Sequence, residues 1–177
     1  MIITPRGRGR TGVVLALLAT LMSAAVVFAG SASAAPTVKS YYNGYLGPSH
    51  YLTGPRSQGP AKVGGYDVWT VQQISDSPSG HDRVFLHASG DANLCLDQHA
   101  ATNGGAAWVI SCNGGNYQIW EVFYESNHSR VFKGWGSWTQ QSLHLCLSSS
   151  GNTAVIMATC NESASRQQWY GETAPGQ

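Results

Sequence analysis

The chain has 177 residues, of which only 11% are charged, while glycine alone contributes 21 residues. Ten Lys and Arg face nine Asp and Glu, so the formal net charge is +1 at pH 7. Like charges do not cluster after the first ten residues, which excludes the basic surface of a nucleic-acid or anionic-membrane binder. The composition is typical of a turn-rich, all-β protein with a polar, weakly charged surface.

The N-terminus predicts an export signal over residues 1–34. Three arginines precede an apolar run over residues 13–30, and Ala32-Ser33-Ala34 supplies the small residues of a cleavage site. We expect cleavage after Ala34, a secreted, extracellular product and no membrane association of that product. The alternative is an uncleaved membrane anchor, because the run comes close to the length that spans a bilayer.

Removal of the signal leaves residues 35–177, enough for one domain. Seven Lys and Arg then face nine Asp and Glu, a formal charge of −2. Two long segments of this domain are copies of each other, because each contains a His-x-Arg-Val-Phe motif, a Leu-Cys-Leu motif, a second cysteine and a Gln-x-Trp motif. The markers lie at 81–85, 94–96, Cys112 and 118–120, and again at 128–132, 145–147, Cys160 and 167–169.

A third, worn copy precedes these two. Residues 64–71 align with residues 114–122, and Tyr51 aligns with the first cysteines of the other copies. This copy lacks both cysteines, and Asp67 replaces the glutamine. The domain therefore consists of three repeats, over about residues 38–79, 80–126 and 127–172.

Short β-branched and aromatic runs bounded by Gly, Asn and Ser predict strands, for instance at residues 83–86, 108–111, 119–124 and 154–158. No part of the domain has a sustained 3.6-residue apolar period, so we expect no helix in it. A repeat of this length could also be a propeller blade, but a propeller needs about four blades to close. Three four-stranded units can instead close as a small barrel with a hairpin cap.

Cys-Leu-Asp, a second cysteine and Gln-x-Trp, repeated at this spacing, resemble the ricin B-type β-trefoil lectins over nearly all of residues 35–177. The resemblance implies an all-β, β-trefoil fold with three pseudo-threefold repeats of about four strands each. It also implies carbohydrate binding without catalysis or cofactor, with glycans or polysaccharide as partners. We expect Trp69, Trp120 and Trp169 in the core, because each fills the same inner position of its repeat.

Four cysteines in an exported chain favour two disulfides, although four cysteines allow three pairings. A repeat closes in the same way wherever it lies in the chain. We therefore expect the bridges Cys95–Cys112 and Cys146–Cys160.

The resemblance also implies one sugar site, in the second repeat. The family's sugar ligands there are Asp97, which follows Cys-Leu, and Gln118 of Gln-x-Trp, and we add Asn116 to this set. Ile110 replaces the family's aromatic residue, so Trp108, on the same face of the strand, is our candidate for stacking, unless it belongs to the core. The alternative for Asp97 is that it only organises a turn.

The other two repeats lack this acid, since Thr53 and Ser148 hold its place, and we expect their sites to be lost. The third repeat also carries three extra residues near a Gly-rich turn with Trp135 and Trp138. This turn could fold back over the barrel, stack on a glycan or contact a protein partner. We favour folding back, with glycan stacking second.

The sequence shows no nucleophile motif or phosphate loop, and its histidines and cysteines lack the spacing of metal ligands. We therefore expect neither an enzyme nor a metal site. The alternative function is a protein-binding trefoil, such as a secreted inhibitor or a docking subunit, because two of the three acid positions are lost.

Overall fold

The computed structural model describes residues 35–173, so the predicted export signal lies outside the described residues. Thirteen strands, in chain order, form this part of the chain. They are β1 (Thr37–Asn43), β2 (Tyr51–Thr53), β3 (Gly59–Pro60), β4 (Lys62–Gly64), β5 (Trp69–Asp76), β6 (Asp82–Ala88), β7 (Leu94–Asp97), β8 (Trp108–Ser111), β9 (Trp120–Tyr124), β10 (Ser129–Gly134), β11 (Leu145–Ser149), β12 (Val155–Thr159) and β13 (Trp169–Thr173). None of the helices within residues 35–173 is long and apolar enough to span a membrane.

The outer strands of the three repeats close a six-stranded barrel. Antiparallel pairing runs from β1 to β5, β6, β9, β10 and β13, and β13 pairs with β1 again. A closed ring satisfies the backbone hydrogen bonds on both sides of every strand and leaves no open sheet edge. Each repeat contributes two strands to this ring: β1 and β5 from the first, β6 and β9 from the second, and β10 and β13 from the third.

The inner strands of each repeat form a hairpin over one end of the barrel. These hairpins are β2–β4, β7–β8 and β11–β12. Short bridges connect them, such as Lys62 with Ala154 and Ala106 with Ile156. A six-stranded barrel capped by three hairpins is the predicted β-trefoil, and the expected four strands per repeat are confirmed, with β3 as one addition.

A tryptophan at the start of the fourth strand ties barrel to cap in every repeat. Trp69, Trp120 and Trp169 are fully buried, as predicted. Each indole N–H donates to the carbonyl of a leucine in the second strand of its own repeat, at 2.9, 3.1 and 3.1 Å from the acceptors on Leu52, Leu96 and Leu147. The core thus repeats one polar contact inside apolar packing, where an unpaired N–H would be costly.

The glutamine of each Gln-x-Trp motif closes the turn that precedes that tryptophan. Gln118 accepts a hydrogen bond from the Asn113 amide and donates to the Ser111 carbonyl, at 2.8 and 3.0 Å. Gln167 repeats both contacts with Asn161 and Thr159, each at 2.8 Å. Both side chains are buried, so this amide is part of the backbone scaffold of the repeat.

Both predicted disulfides are confirmed: Cys95 pairs with Cys112, and Cys146 pairs with Cys160. Strand register shows what replaces the bridge in the first repeat. Tyr51 lies opposite Gly64, just as Cys95 lies opposite Ile110.

Cys112 follows Ile110 by two residues, and Tyr66 follows Gly64 by the same number. Tyr66 therefore occupies the second cysteine position. The alignment of residues 64–71 with 114–122, which places Tyr66 in the later Gly-rich turn, is wrong at this residue. The rings of Tyr51 and Tyr66 meet edge to face with centroids 5.1 Å apart, so an aromatic pair stands where the sister repeats have sulfur.

The expectation of an entirely helix-free domain is wrong at the insertion, where residues Trp135–Gln141 form the short helix α1. Ser142 ends it in the left-handed conformation, and its N–H donates to the Trp138 carbonyl at 3.0 Å. A helix of seven residues is marginal by itself in water. Its contacts with the second repeat, described below, stabilise it, and an apolar period within so short a segment could not predict it.

We predict that the double variant Tyr51→Cys/Tyr66→Cys forms a third disulfide. The two positions are 15 residues apart, between the 14 and 17 of the native bridges. A bridge of this span stabilises by about 3 kcal/mol in the chain-entropy model, and loss of the ring pair removes about 1 kcal/mol. The free energy of unfolding should therefore rise by about 2 kcal/mol, as measured by chemical denaturation with thiol titration.

Tyr51→Cys alone should lower stability, because it removes the ring contact without adding a bridge. In the wild type, native-state hydrogen exchange should show the first-repeat strands opening before those of the other repeats. The bridged variant should reduce this difference. Two titratable thiols in the folded double variant would show that the register correspondence does not bring these side chains together.

Candidate functional site

Asp97 and Trp108 lie side by side at the end of the second hairpin. Asp97 is the last residue of β7 and pairs directly with Trp108, the first residue of β8, so both side chains project from the same face. Asp97 is only 4% exposed, and its Oδ1 accepts a hydrogen bond from the His99 amide at 2.5 Å. Oδ2 accepts none from any residue within 35–173, so one oxygen holds the turn and the other has no hydrogen-bond donor in this part of the chain.

A second ring, which the sequence did not indicate, lies against Trp108. His99 has a left-handed backbone (φ 47°), and its imidazole stacks on the indole with centroids 4.7 Å apart and planes 26° apart. Trp108 remains half-buried rather than buried. His99 comes into the site because Asp97 bends the chain back, and no spacing rule applied to the sequence predicts that bend.

Asn116 and Gln118 lie on opposite sides of one 3₁₀ turn, Asn116–Gln118. Gln118 faces inward, and backbone groups use both ends of its amide, so it positions the turn and does not reach the Asp97 face as a ligand. Asn116 is half-exposed, and its side-chain amide forms no hydrogen bond within the described part of the chain. Tyr117, between them, accepts a hydrogen bond from Gln141 of helix α1 at 3.0 Å.

Helix α1 of the third repeat packs on this turn of the second repeat. Gly136 has no room for a side chain there, because a Cβ would lie 2.8 Å from the Tyr117 amide nitrogen. The buried Gln98, next to Asp97, donates to the Ile119 carbonyl at 3.2 Å and accepts from the Ser137 amide at 2.9 Å. The insertion thus packs on the Asn116–Gln118 turn and on Gln98, the residue that follows Asp97.

Trp135 and Trp138 belong to this helix and contact each other edge to face, with centroids 5.0 Å apart. Arg83 lies over the Trp135 ring at 4.7 Å, and the Lys133 ammonium lies over the Trp138 ring at 4.2 Å. Both rings are half-buried. These contacts agree with the favoured expectation that the turn folds back over the barrel, and they occupy one face of each ring with a cation.

The matching positions of the other repeats carry no acid. Thr53, in the first repeat, donates to the Lys62 carbonyl at 3.1 Å. Ser148, in the third, is buried and donates to the Ser149 carbonyl at 3.3 Å. Both hydroxyls bond to nearby backbone, so the second repeat alone has a carboxylate at this position.

Within residues 35–173, one group of side chains has the proximity of metal ligands. Candidate atoms of His87, Cys95 and Cys112 lie within 4.8 Å of one another. Both sulfurs are joined in a disulfide, however, and a disulfide cannot supply the thiolate that a metal requires.

Comparison with known proteins supports the same fold. The family model of the ricin-type beta-trefoil lectin domain matches residues 82–174, and no curated protein matches the chain. The designed threefold-symmetric protein ThreeFoil superposes with a TM-score of 0.63 at 15% identity, over 76% of this chain and 96% of its own. A Polyporus squamosus lectin, solved with the epitope Neu5Aca2-6Galb1-4GlcNAc, superposes with a TM-score of 0.62 at 15% identity, over 78% of this chain and 49% of its own.

A mosquitocidal holotoxin gives a TM-score of 0.62 at 14% identity, and the match covers 78% of this chain and 17% of the toxin. The chain therefore spans about half the length of the Polyporus lectin and a smaller part of the holotoxin. At these identities the similarity shows a shared fold and says nothing of shared ligands.

We predict that Gln98→Met loosens helix α1. Methionine fills a similar volume but leaves the Ser137 amide without a partner and removes one of the two donors to the Ile119 carbonyl, which still accepts from the Trp135 amide at 3.0 Å. The free energy of unfolding should fall by about 2 kcal/mol. Acrylamide should then quench tryptophan fluorescence more strongly, because Trp135 and Trp138 become more accessible.

The same measurement on Trp135→Phe/Trp138→Phe identifies how much of the quenchable signal comes from the helix. Gln58→Met is the matched control, because Gln58 is an exposed glutamine that bonds only the Ser111 hydroxyl, at 3.0 Å. Unchanged stability and quenching in Gln98→Met would show that Gln98 does not hold the helix.

Proposed function

The chain belongs to the ricin-type beta-trefoil lectin domain family, and from this premise we propose that it is a non-catalytic, secreted carbohydrate-binding protein. We place its family-type sugar site in the second repeat, at Asp97. One observation carries the proposal: Asp97 has a free carboxylate oxygen beside the half-buried Trp108, while Thr53 and Ser148 replace the acid in the other repeats.

The groups around Asp97 suit a pyranose ring. A carboxylate oxygen accepts charge-assisted hydrogen bonds from vicinal hydroxyls, which are stronger than bonds between neutral groups. The Trp108–His99 ring pair offers an apolar surface to the face of the sugar that carries no hydroxyls. The free amide of Asn116 can both donate and accept. In this proposal Gln118 acts indirectly, because it braces the turn that carries Asn116.

A single shallow site of this kind binds weakly. We expect a dissociation constant around 1 mM, about −4 kcal/mol, for one sugar. Useful binding then requires a multivalent glycan surface or several copies of the chain. Polysaccharide or densely displayed glycans outside the cell are the partners that fit this affinity.

Export is part of the proposal. The predicted signal over residues 1–34 and two disulfides in residues 35–173 both fit an oxidising, extracellular compartment. The sialylated galactose epitope on the Polyporus lectin makes galactose-type glycans a reasonable first probe, with mannose-type glycans beside them.

Binding of a protein partner is the second candidate function. It is favoured by the loss of the acid in two repeats and by three exposed tyrosines, Tyr45, Tyr66 and Tyr124, with exposures of 51, 52 and 59%. Tyrosine is enriched in protein interfaces because its ring is large and its hydroxyl tolerates water. A pull-down from the native secretome that recovers a specific protein would support it, provided that glycan titrations show no binding.

We predict that Asp97→Asn weakens sugar binding and preserves the fold. The asparagine oxygen can still accept from the His99 amide, so the turn should persist at a cost of about 1 kcal/mol. The second oxygen becomes an NH₂ group that cannot accept from a sugar hydroxyl, and we expect affinity to fall at least about tenfold. Titration of galactose- and mannose-type glycans measures the loss, with circular dichroism as the test of folding.

Asp91→Asn is the matched control. Asp91 accepts from the Asn93 amide at 2.8 Å, the same local turn in the same repeat, but it does not lie next to Trp108. It should bind as the wild type does. Equal binding by Asp97→Asn and the wild type would eliminate this pocket as the sugar site.

A further inference from the structure

The outer surface of the barrel has three equivalent positions, one in each repeat, where three strands lie side by side. We call each of these positions a seam, and the strand register shows which residues correspond. Each seam surrounds one outward residue of a repeat's first strand, which lies between the second strand of that repeat and the last strand of the preceding one. In the first seam Tyr42 lies between Tyr51 and Tyr170. In the second seam His87 lies between Cys95 and Thr70. In the third seam Lys133 lies between Cys146 and Glu121. The three seams differ in what fills them.

Rings fill the first seam. Tyr42 stacks on Tyr170 with centroids 5.1 Å apart, and Tyr51 meets Tyr42 edge to face at 6.2 Å. Tyr66 meets Tyr51 in turn. These four tyrosines cover the surface that the disulfide and its neighbours occupy in the second repeat.

An ion pair and helix α1 fill the third seam. The Lys133 ammonium lies 3.9 Å from the carboxylate of the buried Glu121 and 4.2 Å from the centre of the Trp138 ring. Val131, one step along the same outer face, is completely buried. The ion pair and the Trp138 ring thus cover most of Lys133, whose side chain is 14% exposed.

The second seam is open. Thr70, opposite His87, is too short to do what Tyr170 does in the first seam. At this seam lies a pocket of about 170 Å³, which is lined by Gln72, Phe85, His87, Cys95, Cys112 and Gly114. This seam belongs to the repeat that also retains Asp97.

The lining of this pocket suits a neutral, hydroxyl-rich ring. The half-buried Phe85 and the disulfide provide apolar walls, and no charged side chain takes part. The His87 imidazole is held at both nitrogens: Nδ1 donates to the Ala92 carbonyl at 2.8 Å, and Nε2 lies 2.9 Å from the Gln72 amide. These two contacts fix the orientation of the ring in the pocket wall, and the Gln72 amide, which also lines the pocket, is the polar group available to a ligand hydroxyl.

The pocket is one sugar ring away from Asp97. Cys95 lines the pocket, and Asp97 lies two residues further along β7 on the same face, about 7 Å away. We propose that the second seam is an additional carbohydrate subsite, which takes the next sugar unit of a glycan whose first unit is held at Asp97. This inference rests on the proposed sugar site at Asp97.

The test compares mono-, di- and trisaccharides of galactose, mannose and N-acetylglucosamine by titration calorimetry. In the wild type, the bound series should gain about tenfold in affinity from one unit to two, the value of one added hydrogen bond with apolar contact. Phe85→Ser, which copies Ser40 of the first repeat, should lose that gain and keep the monosaccharide affinity. Thr70→Tyr places a ring next to His87, as Tyr170 lies next to Tyr42 in the first seam. It should also lose the gain, because that ring would cover the pocket.

Phe123→Ser is the matched control, since Phe123 is a half-buried phenylalanine on the outer face of the third seam. It should keep both affinities. Monosaccharide binding that depends on Asp97 but shows no gain with length, or a gain unaffected by both pocket variants, would overturn the subsite and leave the Asp97 site intact. No binding of any sugar would overturn both.

Discussion

The buried hydrogen bond from tryptophan to leucine is the contact on which the rest of this structure depends. In each repeat, an indole from a barrel strand donates to a carbonyl of the hairpin above it. The ring fills the largest volume in the core, and its N–H satisfies an acceptor that water cannot reach. A smaller ring would leave a cavity and an unpaired carbonyl together, so the contact fixes the distance between barrel and cap three times over.

Because the core is repeated, the surface is free to differ between repeats. Two repeats close their hairpins with disulfides, and the first uses the Tyr51–Tyr66 pair at the same register. The outer seams diverge in the same way, with tyrosines in one, an ion pair under a helix in another and a pocket in the second repeat. The features proposed for function are therefore departures from symmetry that the symmetric core tolerates.

The region around Asp97 is built by all three repeats. Trp108 of the second repeat pairs with Pro60 of the first, and helix α1 of the third packs on the turn that carries Asn116. The buried Gln98 donates to Ile119 within the second repeat and accepts from Ser137 of the third, so one of its two hydrogen bonds joins these repeats. A ligand at Asp97 would therefore contact surfaces whose positions depend on the closure of the whole barrel.

The sequence by itself determined the features that recur with the repeat. Three copies, the buried tryptophans, the disulfide pairing and the single retained acid at Asp97 all follow from residue identity at a regular spacing. The strands were predicted within a few residues, since short β-branched runs between Gly and Asn clusters have few other conformations.

Only the tertiary structure decided which side chains meet across repeats. In the folded chain Gln118 points inward and His99 stacks on Trp108. The insertion forms a helix that contacts Gln98, and a pocket remains at His87. The Gln118 contacts lie within one repeat and depend on how its turn folds. Of the others, the His99 contact needs a left-handed turn, and the Gln98 contact and the pocket join residues of different repeats. A repeat pattern encodes pairing within one unit, whereas the contacts between units arise only when the barrel closes and brings distant parts of the chain together.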